Sequence, residues 1–529
     1  MLTSIILVPL LAALAVLLIP ANLRFWIRMA ALSATGLSML LAVGMFVGFD
    51  AAEAGVGGYK FVNKVPWAAT LGIHYFVGVD GINAGLILMG AIVAFAAACC
   101  SWEIRTHEKL YYVLLLFMTG GILGAFASLD LFFFYAFHEF ALVPTFIMIG
   151  VWGRGEQKNY ATFQITLYLS LGALIALFGL IALYLQMPAA SRTFDLVAIT
   201  EYFRANPMAA GAQRFIFPLL LFGFGILVSL WPFHTWAPLG YGAAPTATAM
   251  LHAGVLKKFG LYGLIRVALP LMPEAAQQWL HLLALLCLGN ILWCGWVAMR
   301  QRDLNLLIGN SSVAHMGFAF LGIASLNVLG VTGAVLVMIA HGLLAALVFG
   351  LSGYLRQQTG TLNMDELGGL LRKLPFIGSA LVMAMLAGCG LPGFANFVGE
   401  LSVMFGVWKA GLDHAHWFVV AAAWGGLVIG AVYMLRAVRN VLHGELAPRF
   451  ADIEDADAWR KVPFVLLLAA LLWFGIWPRG LAERVEASVE TVLVTPTAPP
   501  ARPALNPVVA QADGPALERQ GGGLRPGIE

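Results

Sequence analysis

Long apolar runs almost free of charge, separated by short stretches that carry most of the charged residues, recur from Met1 to about Trp477. Each run is roughly 20 residues, the length a helix needs to cross the hydrocarbon core of a bilayer, and about 14 such spans can be counted, centred near residues 11, 38, 90, 119, 141, 172, 224, 256, 288, 315, 341, 388, 428 and 469. The pattern predicts an all-α polytopic membrane protein. The first run, MLTSIILVPLLAALAVLLIP, lacks a basic leading region and a small-residue cleavage pattern, so it reads as a retained span rather than a signal peptide. Two connections, residues 49–80 and 187–214, are long enough to hold surface structure. The end of the chain, from about residue 490 to 529, is rich in Pro, Ala and Gly and has no aromatic residue, which predicts a disordered tail.

Two stretches interrupt this pattern. SLWPFHTWAPLGYGAAPT, Ser229 to Thr246, puts three prolines and two glycines at the end of the seventh span, and GCGLPGFANFVGE, Gly388 to Glu400, does the same to the twelfth. Helix breaks at membrane depth are tolerated only where the freed backbone lines a cavity or is buried in protein, and a matched pair of breaks is the usual trace of inverted repeats. The plainer alternative is a pair of ordinary loops between short helices.

Composition agrees with a membrane protein: 61% of the 529 residues are hydrophobic and only 11% charged. The net charge of +3 is too small to point to nucleic acid. If the spans alternate from an outer N-terminus, Arg24, Arg28, Arg105, Arg154, Arg300, Arg356 and Arg436 fall on one side, which the positive-inside rule makes cytoplasmic. Both termini are then expected outside, on the periplasmic face of a bacterial inner membrane. The five cysteines, Cys99, Cys100, Cys287, Cys294 and Cys389, lie in or beside apolar spans without metal-ligand spacing, and no nucleotide fingerprint or haem pattern is present. The expectation is a chain with no cofactor or metal of its own.

Charge inside the spans is the informative chemistry, because an ionisable group at mid-bilayer costs about 2.5–3.5 kcal/mol on insertion scales. The fifth span holds His138 and Glu139, the eighth His252, Lys257 and Lys258, the tenth His315, the eleventh His341, and the twelfth ends its broken section with Glu400. Acids, lysines and histidines at similar depth on successive spans make up the composition of a proton relay. A lone membrane histidine is more often an interhelical hydrogen-bond donor, and His138 and His234 are assigned that role. Lys257 and Lys258 sit about 100° apart on a regular helix, so only one is expected to face the interior easily while the other packs differently or snorkels. No nucleophile elbow, metal-binding histidine pair or phosphate loop competes with a relay.

These stretches, together with KVPWAATLGIHYFVGVDGINAGLILM, resemble the antiporter-like membrane subunit M of bacterial NADH-quinone oxidoreductase, respiratory complex I. The resemblance runs in register from the first span to the last. It implies a fold of about 14 helices with two inverted five-helix repeats, each containing a broken helix. The corresponding divisions are residues 1–108 for the first three helices, 109–268 and 278–440 for the repeats, 461–478 for the last helix and 490–529 for the tail. It also implies that NADH, FMN, iron–sulfur clusters and quinone belong to partner subunits, and that antiporter-like subunits L and N are neighbours.

The relay residues of the family fall on Glu139, Lys258, His315, His341 and Glu400, with Lys257 and His252 as further relay candidates. One carry-over fails: the lysine usual in the seventh span is replaced by Leu227, which leaves Glu139 as an unpaired buried carboxylate. Two alternatives stay open on sequence. One is a subunit of a cation/proton antiporter or membrane-bound hydrogenase of the same fold. The other is a divergent paralogue whose first half does not pump.

Overall fold

The computed structural model describes residues 1–410 and 414–493. Among them, 11 helices are long and apolar enough to cross a bilayer, and Leu2–Leu18 and Pro375–Gly388 are shorter apolar helices. Every span centre predicted from the apolar runs falls on helical backbone. The helix Val328–Thr359 is enclosed on all sides from Gly330 to Leu355, and Ala395–Lys409, Leu304–Ala324, Thr246–Gly254, Gly81–Cys100 and Ala458–Ile476 pack against it. At 1.5 Å per residue it is longer than the hydrocarbon core is thick.

Three departures from the sequence expectation matter. The fold is not purely helical: residues 49–80 carry an antiparallel hairpin, Lys60–Ala68 paired with Ile73–Val79. Both strands are rich in β-branched and aromatic residues, which fit a pleated, half-buried surface better than a helix. The hairpin leads into Asp80, whose carboxylate accepts from the backbone of Ile82 and Asn83 while Asn83 answers with its own side chain, a capping box that starts the helix Gly81–Cys100.

At the other end of the chain, the helix Arg479–Leu493 takes in residues 490–493, which the sequence reading places in the tail. Its Leu481, Val485 and Val489 are buried, and a Cβ added to Gly81 would stand 1.7 Å from the Arg484 carbonyl, so only glycine permits this approach. The remainder of the predicted tail lies outside the described residues.

The third departure is in the eighth span, whose apolar pattern predicts one continuous helix. It is broken. The segment Thr246–Gly254 ends at Val255, where φ is −123° and ψ −61°, a single 3₁₀ turn covers Leu256–Lys258, and helical backbone resumes at Phe259.

Both predicted interruptions are real. Helix Ala210–Val228 stops at Ser229, which adopts a left-handed conformation, and regular helix restarts at Trp236 and again at Thr246. Helix Pro375–Gly388 stops before Gly390 and Gly393, both with positive φ, and resumes as Ala395–Lys409. A break strands backbone groups that lipid cannot satisfy. At the first break Asn290, fully buried on the ninth span, accepts from the Trp231 amide at 2.7 Å and donates to the Ser229 carbonyl at 2.9 Å and the Val313 carbonyl at 3.2 Å. Trp236 closes another gap by donating to the Ile226 carbonyl at 3.1 Å.

Replacing Asn290 by leucine keeps the branched shape and removes all three Asn290 bonds. Each orphaned backbone group costs about 1–3 kcal/mol, so Asn290→Leu is expected to lower the unfolding midpoint of the purified protein in detergent markedly. An unchanged midpoint would show that the break is satisfied by other groups.

Candidate functional site

The break at Val255 separates the two lysines. The Lys258 ammonium turns back to the carbonyl of Ala253 at 2.6 Å, an acceptor in the last turn of the helix segment before the break, where a cation is also favoured by the helix dipole. Its second partner is His341 Nδ1 at 2.8 Å. Lys257 leaves on another side, donates to the Ser312 hydroxyl at 3.2 Å and lies 5.6 Å from the centre of the Tyr241 ring. Both lysines are fully enclosed. Of the two expectations for the second lysine, different packing holds and snorkelling does not, because the 3₁₀ turn gives each ammonium its own buried acceptors.

From His341 the row continues. The His341 and His315 rings stand 5.5 Å apart, and His315 Nδ1 lies 3.0 Å from a carboxylate oxygen of Glu400. All four residues are buried. An ammonium only donates, so the lysine bond requires His341 to present a lone pair at Nδ1 and, when neutral, to carry its proton on Nε2. His315 Nδ1 donates to Glu400 when that carboxylate is ionised, while its buried Nε2 has no hydrogen-bond partner.

The second helix break backs this end of the row. A Cβ on Gly390 would stand 2.8 Å from the Glu400 carboxylate, so the left-handed turn both bends the chain and makes room for the acid. One turn before Glu400, Asn396 is fully buried with neither amide atom bonded.

The structure thus brings together Lys258, His341, His315 and Glu400 from four different predicted spans. His252 joins from the other side: it is buried and its Nδ1 is 3.3 Å from the Tyr241 hydroxyl, the same ring that faces Lys257.

Glu139 does not join. Its side chain is 31% exposed, a carboxylate oxygen lies 3.5 Å from Nδ1 of the neighbouring His138, and the exposed Phe140 and Val143 flank it on the outer side of helix Leu131–Trp152. Glu139 is thus part-exposed rather than fully buried, while among the described residues it has no lysine or arginine partner, as expected from Leu227. His138 stacks on Phe259 with ring centres 4.0 Å apart, and Leu227 is buried and apolar at the end of its helix.

Sequence reasoning missed three contributors. Asn290 has only its polarity in an apolar run as a signal. Ser312 carries no signal beyond its position three residues before His315. Arg266, at the far end of the eighth span, is buried and bonded to Asp80 at 2.7 Å, to Tyr59 at 3.0 Å and to Tyr262 at 3.3 Å.

Helices broken at membrane depth around an enclosed row of lysine, histidine and glutamate define the class of antiporter-like membrane subunits. The chain belongs to the NADH:quinone oxidoreductase/Mrp antiporter transmembrane family, whose model matches residues 128–430. It is 33% identical to NADH-quinone oxidoreductase subunit M of Rickettsia prowazekii, over 82% of this chain and 87% of the relative. It is 34% identical to NAD(P)H-quinone oxidoreductase chain 4 1 of Synechococcus elongatus, over 98% of this chain and 95% of the relative. Among solved structures it resembles a chain of respiratory complex I from Thermus thermophilus with a TM-score of 0.82 and 29% identity, covering 93% of this chain and all of that one. A chain of the Mrp complex from Dietzia shares the fold at a TM-score of 0.78 and 20% identity, covering 93% and 97% of the two chains.

The Lys258–His341 pairing has a consequence for stability. His341→Ala leaves the ammonium with one acceptor and is expected to cost about 1–3 kcal/mol. Lys258→Met removes the buried charge altogether and should cost less, or stabilise. Thermal unfolding of the two variants in detergent gives the order, and the reverse order would contradict the pairing.

Proposed function

We propose that the chain is a proton-translocating membrane-arm subunit of a complex I-like NADH-quinone oxidoreductase. It moves protons through Lys258, His341, His315 and Glu400 while electrons pass through other subunits. The observation that supports this reading is the continuity of the row: a buried ammonium in direct contact with an imidazole, a second imidazole beside it, and a carboxylate hydrogen-bonded to that. None of the four is locked into a permanent ion pair with an arginine, so each can change protonation as its neighbour does.

A proton leaves the Lys258 ammonium along the 2.8 Å bond to His341 Nδ1. His341 then gives up its other proton toward His315, and His315 delivers one through Nδ1 to Glu400. Glu400 stands on the helix Ala395–Lys409, which leads to the outer end of the span, and passes the proton on in that direction. Moving one charge across 100 mV takes about 2.3 kcal/mol, which electron transfer elsewhere must supply.

On this reading both termini face the periplasm of a bacterial inner membrane, and subunits of the L and N type adjoin the chain. NADH, FMN, iron–sulfur clusters and quinone reside in partner subunits. Glu139, an acid half-exposed on an apolar helix face, meets a neighbouring subunit rather than lipid and influences Lys258 only through His138 and Phe259.

A second reading, in which the first half has no pumping relay of its own, is favoured by Leu227 and by the distance Glu139 keeps from the row. Membership of a cation/proton antiporter complex is the remaining alternative, and the subunits that co-purify with the chain decide between the two assemblies.

In membrane vesicles oxidising NADH, Lys258→Met and Glu400→Gln are expected to reduce proton uptake tenfold or more, about 1.4 kcal/mol of lost barrier stabilisation for each factor of ten. Glu139→Gln should have a smaller effect. Wild-type proton uptake in the Lys258 and Glu400 variants would refute the roles assigned to them. A proton-to-electron ratio equal to that of an enzyme whose subunit M keeps a seventh-span lysine would count against the silent first half.

A further inference from the structure

The face of the protein that carries the hairpin holds a cavity of about 170 Å³. An engineered cavity of about 150 Å³ takes a benzene ring, so a molecule of similar size fits here. The turn ahead of the hairpin, the helix Leu196–Ala205 and the terminal helix Arg479–Leu493 form its walls, and the buried Arg266 with its partner Asp80 closes its inner end. None of these groups belongs to the row around Lys258.

The inner end has more hydrogen-bond donors than the protein uses. A guanidinium carries five N–H groups, and Arg266 spends three of them, on Asp80, Tyr59 and Tyr262. The Tyr59 oxygen accepts one of those bonds, and Ser488 Oγ accepts from the Gly81 amide at 2.9 Å, so each hydroxyl keeps its own proton to donate. Among the described residues nothing accepts these remaining donors. Buried donors are as a rule satisfied, and donors reaching in from three elements suit a tetrahedral oxyanion better than a planar one. Charge refines the choice. On the wall Arg204 bonds the Thr491 carbonyl at 3.0 Å, Glu201 one turn before it has no ion pair among the described residues, and Asp80 accepts through Oδ1 alone. Two arginines and two carboxylates cancel, so a molecule carrying both signs finds a partner for each.

We propose that this cavity binds a phosphate ester of a small amino alcohol, its phosphate against Arg266, Tyr59, Ser488 and Arg204 and its ammonium against Asp80 Oδ2 and Glu201. A phospholipid headgroup and a free ester in solution both carry this chemistry and would make the same contacts. The bound group joins the terminal helix to the helix Leu196–Ala205 and to the end of the eighth span. It takes no part in the proton relay, so its site stands whether or not Lys258 carries protons.

The test strips the whole assembled enzyme of lipid in detergent and titrates it with two probes, O-phosphoethanolamine and dihexanoyl phosphatidylethanolamine, with heat of binding as readout. Arg204 and Glu201 are exposed, so Arg204→Gln and Glu201→Gln leave the fold intact, and each is expected to weaken binding about tenfold or more. Binding of both probes shows that the headgroup alone suffices. Binding of the lipid alone assigns the source to the membrane, and binding of the free ester alone assigns it to the surrounding solution. Inorganic phosphate bound as tightly as O-phosphoethanolamine would overturn the proposal, because the contacts to the ammonium would then count for nothing. Unchanged affinity in either variant, or no binding of either probe, would overturn it as well.

Discussion

The structure around the site depends on how one ammonium group is held inside a membrane protein. Taking an ammonium out of water costs several kcal/mol even after the protein relaxes, and its surroundings must return most of that. A carboxylate would return it and fix the charge. Lys258 is held instead by a backbone carbonyl and a neutral imidazole nitrogen, partners that stabilise the charged form without opposing proton loss as a carboxylate does. The carbonyl is one that a helix end leaves unpaired, which is why the eighth span has to break at Val255. The imidazole has to come from another helix at close range. Gly254 and Gly342 allow this, because a Cβ on either would stand within 3.0 Å of the other's carbonyl oxygen.

The other breaks follow the same logic with different partners. A broken helix in lipid leaves backbone groups that nothing outside the protein can satisfy, so every break must be enclosed and answered by side chains. Asn290 answers the first, and its three bonds tie the turn at Ser229 and Trp231 to the span that carries His315. The second break is answered by its own tight turns and shaped around Glu400. Placing an acid against a left-handed glycine turn, with an unbonded asparagine one turn away, gives it a polar setting that an unbroken apolar helix could not provide.

The apolar pattern made the spans legible because their length is set by the bilayer, and the two Pro/Gly breaks were legible because few other residues stop a helix so reliably. The buried titratable residues stood out for the same reason that they are costly: Lys258, His315, His341 and Glu400 are ionisable groups in runs that otherwise exclude them. Orientation was not legible. In a helix that is apolar all round, the pattern does not say which face looks inward, so Glu139 and Glu400 read alike although one is half-exposed and the other enclosed. The break at Val255 was hidden because it lies among residues that favour helix and is set by what Lys258 must reach. The hairpin was hidden because its strands show no regular alternation of buried and exposed positions.

The eighth span carries polar side chains along most of its length, and their chemistry differs at the two ends. Toward the basic face lie the buried hydroxyl of Thr248 and, at a water-sized cleft, that of Thr246, which donates to Glu103. Toward the other face lies Arg266, which keeps its proton at any physiological pH. Its guanidinium is fixed by Asp80, whose oxygen is in turn held by the backbone amides that start the next helix, and by two tyrosine hydroxyls. A group that cannot deprotonate and cannot easily move is a poor link in a relay and a repulsive neighbour for a second positive charge. The Lys258 ammonium therefore meets its nearest titratable neighbour sideways, in His341 on an adjoining helix, rather than along its own span.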